Sequence, residues 1–302
     1  MPIIKNLVVA GGAHIGFSYF GALKTLCDRK FFSISSIESI YATSVGALVA
    51  VFISLDCDWS TIESYIVNRP WKKLFPFTIR NSLMAVPKGG LFDISTIEKI
   101  IEPVLLDHNL SLDTNLDDFY QYNKKEMHFI STSYEPLKLV DISYKTHPTW
   151  RLVDAIYASS CLPVLFVPYN REDNDIYIDG AMFANYPIHQ CFQDGKKPEE
   201  TLGVSFEHKQ PDNVVHKRTP FVLIFFILDL LTKMWKLVKE DDSVETQGAP
   251  YQVKIVGDTR FEEALEVISS EKKRKYMIDK GVDAATSFLD SLKEQNDEYF
   301  SK

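Results

Sequence analysis

Two short apolar runs, each breaking off in small residues that open a helix, constrain this chain more than any other feature. The first is NLVVA, running into GGAHIG and then FSYFGALKTL; the second is IESIYA, running through TS into VGALVAVFISL. A buried strand that turns within a few residues into a helix is half of a βα unit, and its repetition predicts parallel strands covered by helices on both faces. In such sheets ligands bind at the rim formed by the carboxyl ends of the strands. Ser44 stands at the second junction, between Thr43 and Val45. Its hydroxyl has two readings: an N-cap that accepts from a backbone N–H of the first helical turn, or a nucleophile displayed at the rim by a sharp turn.

The rest of the chain continues the alternation. Paired strand-like segments MHFISTSY and LKLVDIS lie mid-chain, and DISTIEKIIEPVLLDHN has helical spacing with Asp93 or Ser95 as its cap. RLVDAIYASS reads as a helix, IYID and TLGVSF as strands, and a last helix is expected from about Glu271 to Leu292. NREDND and EDDSVETQG read as surface loops, and without a repeat or low-complexity linker the 302 residues are expected to form one domain. A content of 45% hydrophobic and 25% charged residues fits a soluble globular chain with a large core.

A net charge of -8 argues against a general nucleic-acid binder. Cys27, Cys57, Cys161 and Cys191 show neither C-x-x-C spacing nor matching histidines, so buried thiols are expected rather than a metal site or disulfides. The apolar run Leu7 to Ala10 has strand length, and Phe221 to Leu228 ends at Asp229, well short of the about 20 residues that cross a bilayer. No signal peptide or transmembrane segment is expected. The segment PFVLIFFILDLLTKMWKLVKE keeps two readings, a membrane-surface helix with Lys233, Lys236 and Lys239 beside Trp235, or a core helix with a lysine edge.

Glycines at 11, 12 and 16, between a strand and a helix, let backbone N–H groups converge on an anion. A phosphate loop fails because Phe17 and Ser18 stand where Lys and Ser/Thr are required. A dinucleotide site is weak: Ala13 fills the second glycine and the next strand ends without an acid. The remaining anion is the oxyanion of a tetrahedral intermediate. The third piece is IYIDGA, where Asp179 ends a strand on the same rim; taken singly, Asp-Gly also reads as a tight turn.

Together these ordered motifs resemble the patatin-like phospholipase family, lipid acyl hydrolases with a Ser/Asp dyad. The family's G-G-G-x-[RK]-G corresponds to Gly11 through Gly16, its G-x-S-x-G to Ala42 through Gly46, and its D-G-[GA] to Asp179 through Ala181. ASSCLPVLFVPY also resembles a family segment, so the likeness runs from about Leu7 to Phe206. It implies a three-layer α/β/α fold with a mostly parallel central sheet, residues 207–302 being a helical extension of the same domain. It further implies a phospholipase A-type enzyme or lipase that forms a Ser44 acyl-enzyme with Asp179 as base.

In that scheme Gly11, Gly12, Ala13 and Gly16 form the oxyanion hole, and Ala42, Gly46 and Gly180 support the turns. No metal or cofactor is implied; the partner is a phospholipid or other lipid ester at a membrane surface, with no nucleic acid, and the protein is cytoplasmic and peripheral to membranes. Three departures stand out: Ala13 for the third glycine, Ile15 for the usual Arg/Lys with His14 beside it, and Ala42 for the elbow's first glycine. They keep open a catalytically weakened lipid-binding or scaffold protein, and a non-lipid esterase uses the same site. An arginine at position 15 would alter rate or head-group preference if that side chain reaches solvent, and would destabilise the protein if it is packed. No histidine has a local pattern tying it to Ser44; His14 and His189 lie near the motifs but are left out of the catalytic set.

Overall fold

The structure is a computed structural model that describes residues 2–78, 81, 87–171, 175–208, 226, 227, 230, 249–257 and 260–300. Its strands are β1 (Asn6–Val9), β2 (Ser39–Thr43), β3 (Gly90–Phe92), β4 (Glu126–Tyr134), β5 (Leu137–Ile142), β6 (Val164–Phe166), β7 (Tyr169–Asn170), β8 (Ile176–Asp179), β9 (Thr201–His208) and β10 (Tyr251–Gly257). The main sheet has the order β10-β9-β1-β2-β4-β8-β7, with β5 also paired to β4; β3 and β6 form a small separate pair. From β10 to β4 every neighbour is parallel, whereas β5, β7 and β8 are antiparallel additions.

Every residue of β1 and β2 is buried, because both faces are covered. The pleat divides them. Leu7, Val9, Ile40 and Ala42 join the larger core, and Val8 and Tyr41, which are paired in register, pack with Ile188 and Cys191 on the other side. This is the α/β arrangement expected, with helices flanking a central sheet.

Strand directions bring the rim together. Thr43, at the end of β2, pairs with Ile130 of β4, and Asp179, at the end of β8, pairs with Ser131. Because β5 occupies the opposite edge of β4, the parallel β2 and the antiparallel β8 share one edge and meet with their carboxyl ends head to head. Ser44 and Asp179 therefore sit on adjacent rungs, although 135 positions separate them.

The first helix, α1 (Gly16–Asp28), is crossed closely by the last, Glu271–Phe300, which runs further than the expected Leu292. Ser18 Oγ donates to the Met277 carbonyl at 2.6 Å, and a Cβ on Gly281 would lie 1.9 Å from the Ser18 carbonyl oxygen. Gly281→Ala is therefore expected to cost about 1–3 kcal/mol of stability by overpacking, read from chemical denaturation. Asp93 is the cap of the helix Ile94–Asp107, accepting from the Ser95 N–H at 3.1 Å. Of residues 220–239 only Phe226, Ile227 and Leu230 are described, so the choice between a membrane-surface and a core helix there falls outside the described residues. No helix among the described residues is long and apolar enough to cross a membrane.

Candidate active site

Ser44 occupies the N-cap position of α2 (Val45–Ser54) but does not cap it. Its φ of 56° and ψ of -127° lie where a residue with a Cβ is strained, and its side chain makes no bond to the helix. Instead Oγ donates to Asp179 Oδ2 at 2.7 Å. The turn is tight enough that a Cβ on Gly46 would come within 2.5 Å of the Val9 carbonyl oxygen, while the Ala42 methyl is accommodated in the core. Ser159, from the helix Leu152–Ser160, accepts the Ser44 N–H at 3.0 Å and donates to the Ile130 carbonyl at 2.6 Å. It pins the strained residue to β4, a role that sequence spacing did not reveal.

Asp179 is 2% exposed, and its second oxygen, Oδ1, accepts the Ala181 N–H at 2.8 Å. Burial raises its carboxyl to about 6, against the opposing pull of the Ala181 and Ser44 hydrogen bonds. Gly180 is required by space, since a Cβ there would lie 2.1 Å from the Ile130 carbonyl oxygen.

The glycine loop corrects the expectation at two positions. The Gly11 N–H donates to the Asn185 carbonyl at 2.9 Å, and the Gly16 N–H turns back onto the Ala13 and His14 carbonyls. These two glycines act through the side chain they lack: a Cβ on Gly11 would meet Asn185 Oδ1 at 2.5 Å, and one on Gly16 would meet Val45 Cγ2 at 2.5 Å. Among the described residues no hydrogen bond is found for the loop N–H groups of Gly12, Ala13 and His14, and the first two of these residues are at positive φ. The loop is braced by Tyr19, fully buried, whose hydroxyl donates to the Gly11 carbonyl at 2.8 Å.

Ile15 is fully buried, with Cδ1 only 2.7 Å from where a Cβ on Gly257 would sit. Its position points into the core and not toward a substrate. Ile15→Arg is accordingly expected to destabilise the protein by on the order of 3 kcal/mol or more, without a gain in turnover, as thermal melting and kinetics would record.

His14 is buried in the pocket wall with Nε2 3.9 Å from Glu263 Oε2, and His108 contacts Cys57 and Tyr122. His128 bonds Asp141 at 2.7 Å and faces Glu126. With Asp141 and Asp194 it forms a cluster of metal-ligand residue types among the described residues. Burial alone would lower the His128 imidazole, but its bonds to Asp141 and Glu126 raise it to about 9. His189 lies on the helix Ile188–Gln193, and His216 is outside the described residues.

Ser44, Asp179 and Gly12 open onto a cavity of about 390 Å³. Its walls are mostly apolar and rich in aromatics, including Phe17, Phe52, Trp71, Phe75 and Phe166, with Arg260 and Glu262 also among the lining residues. A volume in the usual range for ligand pockets, with a few polar groups at one end, suits a long apolar group bearing one reactive polar bond.

Comparison with known proteins agrees with this geometry. The sequence matches the patatin-like phospholipase family over residues 7–192, a span that includes the glycine loop, the Ser44 turn and Asp179. It is 25% identical over 219 residues to an uncharacterized protein of Acanthamoeba polyphaga mimivirus, covering 72% of this chain and 71% of that protein. It is 24% identical over 186 residues to a probable lipid hydrolase of Invertebrate iridescent virus 6, covering 61% of this chain and 62% of the relative. The fold resembles that of VipD from Legionella pneumophila with a TM-score of 0.57 at 17% identity, over 96% of this chain and 67% of VipD. With more than half its length matched, motifs included, the chain belongs to the patatin-like phospholipase family of lipid ester hydrolases.

Proposed function

We propose that the protein hydrolyses carboxylic esters of membrane lipids, as a phospholipase A-type enzyme or lipase, through a Ser44 acyl-enzyme. The supporting observation is the 2.7 Å contact between Ser44 Oγ and Asp179 Oδ2 at the polar end of an apolar cavity. Ser44 Oγ attacks the ester carbonyl carbon as its proton passes to Asp179 Oδ2. The carbonyl oxygen becomes an oxyanion, held by the Gly12 and Ala13 N–H groups. As the tetrahedral species collapses, the alcohol leaves with the proton from Asp179. Water then attacks the acyl-enzyme, giving its proton to Asp179, and the fatty acid is released as Ser44 recovers its hydrogen.

The acyl chain lies along the aromatic walls, so that the ester is drawn from a lipid surface into a site with little water. A carboxylate is a weak base in water, and burial that lifts Asp179 to about 6 brings it closer to the task. The base must be ionised, so kcat/KM should fall about tenfold per pH unit below about 6. A flat pH–rate profile between 4 and 7 would exclude Asp179 as base. The chain acts as one domain at the cytoplasmic face of membranes, the last helix being locked on α1 through Gly21 and Gly281.

The direct test is a lipid panel, presented as vesicles and as dispersed short-chain esters, assayed with wild type and Ser44→Ala. Release of fatty acid from vesicle lipid by wild type alone is expected. Cleavage of dispersed esters with vesicles untouched would make it a non-lipid esterase.

A further inference from the structure

Outside the acyl cavity, Cys57 Sγ lies 2.8 Å from His108 Nε2, and His108 Nδ1 lies 2.9 Å from the Tyr122 hydroxyl. We propose that Cys57 is a second nucleophile, a covalent modification site for small soft electrophiles such as peroxides, with His108 as its general base and Tyr122 orienting the base. A nucleophile within hydrogen-bond reach of a base that is itself held by a third group is the arrangement that activates a thiol.

His108 acts in one of the two tautomers that these contacts allow. When Nδ1–H donates to the Tyr122 oxygen, Nε2 carries the lone pair and accepts from the Cys57 S–H. His108 is the residue that ends the helix Ile94–Asp107, which holds its ring beside Cys57. Burial, together with the Asp107 and Asp56 carboxylates, pushes the Cys57 thiol up, so the resting thiol keeps its proton and gives it to His108 as the new bond forms.

Access is provided by a cleft of about 470 Å³ lined by Cys57, Cys27, Ser33, Ser35, Asp56 and Trp59. With hydrogen peroxide as the oxidant, sulfur attacks one peroxide oxygen, the S–O bond forms and the O–O bond breaks. The S–H proton passes through His108 to the departing hydroxide, giving water and a Cys57 sulfenic acid.

Cys27 is the internal comparison. It lines the same cleft and its thiol is also raised by burial, but its side-chain partner is Trp59 and not a histidine. The folded full chain is treated with iodoacetamide at pH 7 and the four cysteines are mapped by mass spectrometry. Cys57 is expected to be alkylated about tenfold faster than Cys27, and His108→Gln should slow Cys57 by about tenfold or more with the Cys27 rate unchanged. Tyr122 is 46% exposed, so Tyr122→Phe leaves the fold undisturbed and should slow Cys57 several-fold by releasing the base. Peroxide followed by dimedone should tag Cys57 ahead of Cys27. Equal rates for the two cysteines, or a Cys57 rate that neither Tyr122→Phe nor a folded His108→Gln reduces, would overturn the assignment and leave the contact as a structural hydrogen bond.

Discussion

Replacing Ser44 by alanine is expected to lower kcat for lipid ester hydrolysis by on the order of a millionfold while the protein stays folded. The change removes one hydroxyl and the hydrogen bond it donates to Asp179. It leaves the Ser44 N–H on Ser159 and the turn over Gly46 in place. Binding should persist, because the apolar cavity that takes up the acyl chain is unchanged apart from the lost hydroxyl. Fatty-acid release and vesicle co-sedimentation, measured side by side, separate the two effects. A folded alanine variant that hydrolyses lipid near the wild-type rate would place the chemistry elsewhere in the chain.

Asp179→Asn should lose nearly as much activity and yet gain stability at alkaline pH. Asparagine can accept the Ala181 N–H and donate to Ser44 Oγ, so the two hydrogen bonds of Asp179 are reproduced, but it takes up no proton. Burial raises the Asp179 carboxyl from 3.8 to about 6, the reverse of an aspartate stabilised by a cation. Between about pH 4 and 6 the native state therefore holds a proton that the unfolded chain releases, and stability declines as pH rises through that window. Above it the folded protein carries a buried charge costing on the order of 2–3 kcal/mol. Asp179→Asn should accordingly melt higher than wild type at pH 8, with the difference vanishing below about pH 4. An inactive variant less stable than wild type at pH 8 would mean that the carboxylate stabilises the native state and is not strained by burial.

Much of the site was legible in the sequence because the chemistry demands certain residues beside certain turns. A serine between a strand and a helix, with Gly46 two positions on, declares a close approach of backbone, and the structure finds the Val9 carbonyl 2.5 Å from where a side chain would begin. The alternation of apolar strands with helices likewise gave the parallel core. The antiparallel direction of β8, which brings Asp179 against the end of β2, was not readable from its four residues. Strand direction is set by pairing with β4, far away in the chain.

Within the glycine loop, sequence marks backbone freedom but cannot say which N–H groups remain unused. The Gly11 donor is taken by Asn185, a partner chosen by tertiary structure alone. Tyr19 and Ser159 escaped notice for the same reason, each bracing the site through contacts with main-chain groups. Ile15 looked like a lost catalytic charge when aligned by motif. In the fold it is a core residue packed on β10, and its meaning is steric.

The central claim is that Ser44 is an activated nucleophile, and fluorophosphonate labelling with peptide mapping tests it most directly. Wild type should give one phosphonylated peptide, carrying the adduct on Ser44. The adduct should be absent from Ser44→Ala and form far more slowly in Asp179→Asn, which lacks the base. A folded wild-type protein that reacts at another serine, or leaves Ser44 unlabelled, would contradict the account.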